Sequence, residues 1–101
     1  MQTKITIIID NPDDPVSFER HFRSVLGLAR ALPGQVRLES SRIWPREDGM
    51  PTPAHRTLEI YYEDYYSAAS AVATPEARAF YQRLTDIGGM FTEFFFEVEQ
   101  Q

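Results

Sequence analysis

The chain has no cysteine and few basic residues: ten lysines and arginines stand against fifteen acidic residues. The missing cysteines exclude disulfides, thiolate nucleophiles and thiolate metal sites, and they favour a cytoplasmic location. The formal net charge of −5 argues against a nucleic-acid partner, because phosphate binding needs a cationic surface. The two histidines, His21 and His55, lie far apart and lack a metal-ligand spacing. We therefore expect neither a metal nor another cofactor.

The apolar residues show two periodicities, and together these outline the fold. The N-terminal stretch is β-branched and too short for a transmembrane helix, so we expect a strand and no membrane association. Helical spacing gives a first helix an apolar stripe of Phe18, Phe22, Val25, Ala29 and Leu32. We expect Ser17 to cap this helix and Leu32-Pro33-Gly34 to end it.

Further along, alternation predicts three more strands, over residues 35–44, 55–63 and 91–99. Residues 65–73 read as a short helical segment. Thr74-Pro75-Glu76 then resembles the start of a second helix that runs to about Asp86, with a buried stripe of Ala77, Phe80, Tyr81 and Leu84. The order β-α-β-β-α-β is the ferredoxin-like α+β arrangement. We expect one domain over residues 1–101, with both helices on one side of a four-stranded antiparallel sheet.

The other side of the sheet is predicted to be apolar as well. In a strand, Phe94 and Phe96 point to one face and Phe95 to the other, and Ile8 likewise opposes the neighbouring isoleucines. A large apolar face left in water usually marks an interface. The simplest way to cover it is a second copy packed across a two-fold axis. The sequence therefore predicts a homodimer through the sheet face.

Several segments resemble the EthD-like family, whose pattern is F-x-x-H-Y followed by P-L-A-x-x-L-P-G. The corresponding segments here are Phe18-Glu19-Arg20-His21-Phe22, then Leu28-Ala29-Arg30-Ala31-Leu32-Pro33-Gly34, with Asn11-Pro12 and Thr74-Pro75-Glu76 as further matches. The resemblance implies a dimeric α+β barrel with a hydrophobic small-molecule pocket between helix one and the sheet, and a link to ethyl tert-butyl ether degradation. Polyketide cyclases, muconolactone isomerases and cofactor-free monooxygenases belong to the same superfamily. One departure is Val25-Leu26-Gly27-Leu28, where relatives carry a second histidine.

His21 is the candidate catalytic residue. At about 100° per residue it lies at the edge of the helix-one stripe, so we expect its imidazole to point toward the sheet. There it could take a proton from a carbon acid or a phenol. The alternative is a partly buried histidine that donates to a backbone carbonyl.

Arg42, Trp44 and Tyr62 are the candidate substrate-binding residues. An arginine beside an indole could hold a carboxylate or enolate while the ring packs on an apolar ligand. The Tyr62 hydroxyl could donate to an oxyanion. The alternative is that all three serve the core or the dimer interface. His55 and Arg56 are interpreted as surface or interface residues.

Two functions stay open on this reading. The first is a cofactor-free enzyme of catabolism, of cyclase, isomerase or monooxygenase type, with His21 as acid/base. The second is a non-catalytic accessory or ligand-binding protein of a degradative pathway. The sequence names no substrate.

Overall fold

Four strands and three helices follow one another in the order β-α-β-β-α-α-β in the computed structural model, which describes residues 1–100. The sheet has the order β2-β3-β1-β4, and all three neighbouring pairs are antiparallel. The ferredoxin-like α+β prediction is therefore confirmed, with the predicted helical segment before the last helix present as a helix of its own. The elements are β1 (Thr3–Ile9), α1 (Pro15–Arg30), β2 (Arg37–Arg42), β3 (Arg56–Tyr62), α2 (Tyr65–Val72), α3 (Pro75–Asp86) and β4 (Phe91–Glu97).

The core lies between the helices and one face of the sheet, which we call the helix-side face. In the register of the central strands, Ile5 lies between Ile60 and Phe95, and Ile7 pairs with Leu58. Because side chains alternate along a strand, the odd positions of β1 and the even positions of β3 share this face. The predicted stripe of helix one is confirmed in full as part of the buried core: Phe18, Phe22, Val25, Ala29 and Leu32.

The helix starts follow the capping rules, although one predicted cap is wrong. Asp14, not Ser17, caps α1: its carboxylate accepts from the Ser17 backbone N–H at 3.1 Å. Pro15 fits the first helical position because its missing N–H would have no partner there. For α3 the predicted start is confirmed, since the Thr74 hydroxyl accepts from the Ala77 N–H at 3.2 Å.

Strand β2 is shorter than the predicted 35–44, and Trp44 lies beyond its end. One further bond, from the Ile43 N–H to the His55 carbonyl at 3.2 Å, continues the pairing past Arg42. Pro45 has no N–H to donate and therefore cannot extend the ladder. The prediction that Trp44 shares a strand face with Arg42 is wrong for this reason.

The face away from the helices, which we call the open face, is mixed rather than apolar. On β4 the rings of Phe94 and Phe96 stack at 5.6 Å and remain 44% and 42% exposed. The middle of the face instead carries an ion pair between Lys4 and Glu59 at 2.7 Å. The prediction of an apolar face rested on the residues of β1 and β4 alone. Strands β2 and β3 add polar groups to the same face: Arg37, Glu39, Ser41, Thr57, Glu59 and Tyr61.

No helix within residues 1–100 combines the length and the apolar content that a membrane-spanning segment needs.

Candidate functional site

A cluster of charged side chains lies at one edge of the helix-side face, next to the start of α1. Glu19, in the second turn of α1, faces the first residues of β3. Its Oε2 lies 2.8 Å from Nε2 of His55, and its Oε1 accepts from Nη1 of Arg56 at 2.7 Å. His55 and Arg56 are buried, at 9% and 8% exposed. We call these three residues the Glu19 cluster.

The surroundings of Arg56 explain how a guanidinium can be buried here. Nη2 donates to the Ser40 hydroxyl at 2.9 Å, and the guanidinium carbon lies 3.9 Å from the centre of the Phe22 ring. A stacked group that donates from two different nitrogens, Nη1 to Glu19 and Nη2 to Ser40, suits arginine rather than lysine. Nε is buried without a hydrogen-bond partner within residues 1–100. The cation therefore depends on Glu19 for its charge compensation.

The Glu19 carboxylate is held in its ionised form. Burial by itself raises the pKa of Glu19, but the hydrogen bonds from His55 and Arg56 and the charges of Arg56 and Arg42 outweigh it. The net result is a pKa below the ordinary value of a glutamate. At neutral pH the cluster thus contains a carboxylate that accepts hydrogen bonds from two buried side chains, His55 and Arg56.

His55 also lines a pocket of about 420 Å³ at the N-terminal end of α1. The loop between β2 and β3 forms one side of it and is tied down by a bond from the Asn11 side-chain amide to the Thr52 carbonyl at 2.8 Å. A few polar groups on a mostly apolar wall are typical of small-molecule sites. The lining residues are Asn11, Pro12, Pro15, Arg42, Ile43, Pro45, Met50, Pro51, Thr52 and His55.

Of the predicted site residues, Arg42 is the one that borders this pocket. Its side chain is 61% exposed, and Nη1 lies 3.5 Å from Oε1 of Glu19. Trp44 is 87% exposed and lines a neighbouring depression that Arg42 also borders. The structure thus brings Arg42 and Trp44 together, whereas His21 and Tyr62 lie elsewhere.

The predicted inward orientation of His21 is wrong. The side chain is exposed on α1, and its Nδ1 bonds with the Ser17 carbonyl one turn back at 2.9 Å. His21 lies roughly 60° from Phe18 around the helix. That margin of the stripe is the one that turns toward α3, as shown by the bond from Arg83 Nε to Ser24 Oγ at 2.8 Å.

Tyr62 lies on the helix-side face, where a tyrosine hydroxyl was expected to reach a ligand, but its side chain is fully buried. Its hydroxyl has no hydrogen-bond partner within residues 1–100. Burial raises the pKa of Tyr62 to about 12, so the hydroxyl stays protonated at neutral pH. Tyr62 does not line the pocket beside His55.

Sequence reasoning missed Glu19, His55 and Arg56. The prediction of a surface or interface position for His55 and Arg56 is wrong for the isolated protomer. The alternation of β3 already indicated the position of Arg56. Arg56 is separated from Leu58, Ile60 and Tyr62 by even numbers of residues, so its side chain lies on the same face as theirs. Glu19 gave a weaker signal, because at about 100° from Phe18 it lies further from the stripe than His21 does on the other side.

No family model matches the sequence. A protein described as an uncharacterized 11.0 kDa protein in the thcB-thcC intergenic region of Rhodococcus erythropolis is 29% identical over 76 residues. The match spans 74% of this chain and 73% of that protein.

Solved structures agree with the fold over nearly the whole chain. SnoaB from Streptomyces nogalater, described as a cofactor-independent oxygenase, has a TM-score of 0.69 at 18% identity and covers 99% of this chain and 95% of its own. A dimeric ferredoxin-like protein from Thermobifida fusca has a TM-score of 0.73 at 12% identity, over 97% and 92% of the two chains. At these identities both similarities show the fold alone.

One structure is similar in both sequence and fold. An EthD family protein from Bacillus halodurans reaches a TM-score of 0.89 at 25% identity, and the match covers 98% of this chain and 100% of that one. The segments that resembled the EthD-like pattern lie near the start and at the end of α1 and at the start of α3. The predicted resemblance is confirmed: the chain is similar to an EthD family protein in sequence and in its ferredoxin-like α+β fold.

Proposed function

We propose that this EthD-like protein binds a hydrophobic small molecule in the pocket beside His55. There it catalyses, without a cofactor, the transfer of a proton from one atom of the ligand to another. The observation that carries the proposal is the bond between His55 and Glu19: a buried imidazole held by an ionised carboxylate at the wall of a pocket. Such a pair is a general acid/base with one ring nitrogen fixed. The proposal keeps the predicted chemistry and moves its centre from His21 to His55.

The geometry divides the work among three side chains. With Glu19 ionised, Nε2–H of His55 donates to Oε2, and Nδ1 is left as the basic nitrogen. A C–H or O–H of the ligand gives its proton to Nδ1, and the electron pair stays on the ligand as an enolate or phenolate. Glu19 stabilises the imidazolium that forms, and Arg42 at the pocket wall stabilises the ligand anion. Return of the proton to another atom of the ligand completes an isomerisation or a cyclisation.

Arg56 is a positioning residue in this scheme. It bonds both oxygens of Glu19, at 2.7 and 2.9 Å, and so fixes the carboxylate that orients His55. It does not line the pocket. Arg56 thus acts on His55 indirectly, through Glu19, and keeps the imidazole in one orientation.

We further propose that two copies pack through the open face. The stacked Phe94 and Phe96 supply an apolar area that is half exposed in the protomer. Support comes from the Thermobifida fusca protein, which has this fold and is described as dimeric. A degradative-pathway context, as the EthD resemblance implies, and a cytoplasmic location stay predictions.

Proton transfer can be tested without the natural substrate. The probe is 2-tetralone, a bicyclic ketone with an acidic C–H, whose exchange with D₂O is followed by NMR. We expect the wild-type protein to accelerate exchange and His55→Gln, which keeps a donor toward Glu19, to lose roughly 10²-fold of that acceleration. His21→Ala is the matched control, since these are the two histidines of the chain, and should exchange at the wild-type rate.

The other outcomes are equally informative. Loss of exchange in His21→Ala with retention in His55→Gln would restore the catalytic role predicted for His21 and overturn this proposal. Binding of the ketone with no acceleration by the wild-type protein would favour the second candidate, a non-catalytic ligand-binding protein. The observation that favours this candidate is the ion pair between Glu19 and Arg56. Because Glu19 compensates the charge of Arg56, the cluster has a structural role even without catalysis.

A further inference from the structure

A second depression adjoins the pocket beside His55. That depression has a volume of about 450 Å³ and is lined by Arg42, Ile43, Trp44 and Pro45. Three of these residues, Arg42, Ile43 and Pro45, also line the pocket of about 420 Å³. The two spaces therefore adjoin each other and share a wall, and we call the pair the two-lobed cleft, with a His55 lobe, a Trp44 lobe and Arg42 at the junction.

Arg42 is the cation at this junction, and its charge is only loosely compensated. Its nearest carboxylate oxygen, Oε1 of Glu19, is 3.5 Å away. The same carboxylate accepts shorter bonds from Arg56 at 2.7 Å and from His55 at 2.8 Å. None of the residues that line the two lobes carries a carboxylate. The junction therefore favours a negatively charged group of a ligand, which a guanidinium binds in two parallel hydrogen bonds.

Trp44 offers a flat apolar surface in the second lobe. It is 87% exposed, the most exposed of the large apolar side chains within residues 1–100. Its backbone is constrained on both sides, by the Ile43 N–H bond to the His55 carbonyl and by Pro45, which restricts the residue before it to extended conformations. The constrained backbone keeps the indole at this lobe, where its face can stack with an aromatic ring.

We infer that the two-lobed cleft binds a planar, fused-ring aromatic carboxylate. Its rings stack on Trp44, its carboxylate pairs with Arg42, and its reacting C–H or O–H reaches into the His55 lobe. This inference rests on the proposed function for the reacting group but names the ligand class from Arg42 and Trp44 alone. A single ring would occupy one lobe and leave the other empty.

Trp44 is the one tryptophan of the chain, so its indole N–H gives a single NMR signal that reports binding. The probe is 2-naphthoate, compared with its neutral analogue 2-naphthamide and with the one-ring benzoate. We expect 2-naphthoate to shift the indole signal and to bind about tenfold more tightly than either analogue. Arg42→Gln should lose about tenfold in affinity and Trp44→Leu a similar amount, while Arg23→Gln, an exposed arginine on α1, should bind as the wild type does.

The outcomes separate this inference from the proposed function. If 2-naphthoate binds as described and the ketone exchange is absent, the cleft stands as a binding site and the proton transfer fails. If His55-dependent exchange is present but 2-naphthoate leaves the indole signal unchanged, the ligand class is wrong. Equal binding of 2-naphthoate and 2-naphthamide, or of wild type and Arg42→Gln, would overturn the role of Arg42.

Discussion

Each face of the sheet carries an ion pair with an N–O distance of 2.7 Å, and these two pairs differ in what surrounds them. On the helix-side face Glu19 meets Arg56, whose side chain is 9% exposed and stacks on Phe22. On the open face Lys4 meets Glu59, with side chains 29% and 26% exposed. In the first pair the Arg56 side chain is buried within the protomer, while Glu19 is 28% exposed. The second is still open to whatever covers the sheet.

The contrast shows how the same strands serve two purposes. The helix-side face is completed by the chain's own helices, so its charges are committed to fixed partners and can orient a catalytic group. The open face combines the Lys4–Glu59 pair with the half-exposed Phe94 and Phe96. A mixed face of this kind suits a specific interface, because polar groups fix the register while aromatic rings supply the buried area.

The largest expected effect is on the pair of Glu19 and Arg56. Glu19→Ala should lower the free energy of unfolding by about 3 kcal/mol, because it leaves the Arg56 guanidinium buried without a counter-charge. Glu59→Ala, the matched change on the open face, should cost about 1 kcal/mol or less. Both are measured by urea unfolding in a Phe94→Asp background, which removes any contribution of the dimer. Equal costs would show that the two faces do not differ in this way.

The contribution of the Glu19 carboxylate to the free energy of unfolding also depends on pH. Because the pKa of Glu19 is lowered in the folded state from an ordinary 4.5, its contribution is fully present above that value and is lost as the pH falls through the folded pKa. The stability gap between wild type and Glu19→Gln should therefore narrow below about pH 4.5. A gap that stays constant down to acid unfolding would contradict the ionised state of Glu19.

The next effect concerns the open face. Phe94→Asp should convert a dimer to a monomer at micromolar concentration, because a charge in the aromatic patch cannot be desolvated without a partner. Sedimentation velocity measures the change. The control is Trp44→Asp, which places the same charge at an exposed aromatic outside the sheet and should leave the dimer intact. A wild-type protein that sediments as a monomer would refute the proposed interface.

The smallest effect is at Tyr62, on the helix-side face. Tyr62→Phe removes a buried hydroxyl that has no partner and should raise the free energy of unfolding by about 1 kcal/mol at neutral pH. The pKa of Tyr62 is raised from 10.0 to about 12 in the folded state, so the wild type loses stability as the pH rises between these values. The advantage of Tyr62→Phe should grow over that interval. A destabilised variant would indicate that the hydroxyl has a partner after all.

Much of the fold could be predicted because its signals are local. The stripe of α1 and the Thr74-Pro75 start of α3 depend on neighbours within a few residues, and both are confirmed. The errors fall at boundaries where two local signals compete. Ser17 is a good cap, yet Asp14 is another and is followed by Pro15. Alternation continued through Trp44, but Pro45 ended the ladder first.

The candidate site was harder to predict because its members come from distant parts of the chain. Arg56 could have been placed in the core by parity alone, but nothing local showed that its counter-charge is Glu19, 37 residues away. Arg42 was predicted as a ligand contact and does border the pocket. Its binding role, like those of His21, Trp44 and Tyr62, stays a prediction.

The sequence by itself determined which side chains share a face, because the periods of a strand and of a helix are properties of the backbone. It placed Glu19 about 100° and His21 about 60° from Phe18, on opposite sides of the same stripe. Only the tertiary structure decided between them: α1 lies on the sheet so that the Glu19 margin meets β3 and the His21 margin turns toward α3. That choice depends on how the helix is rotated when its stripe packs on the sheet, and long-range packing alone settles it.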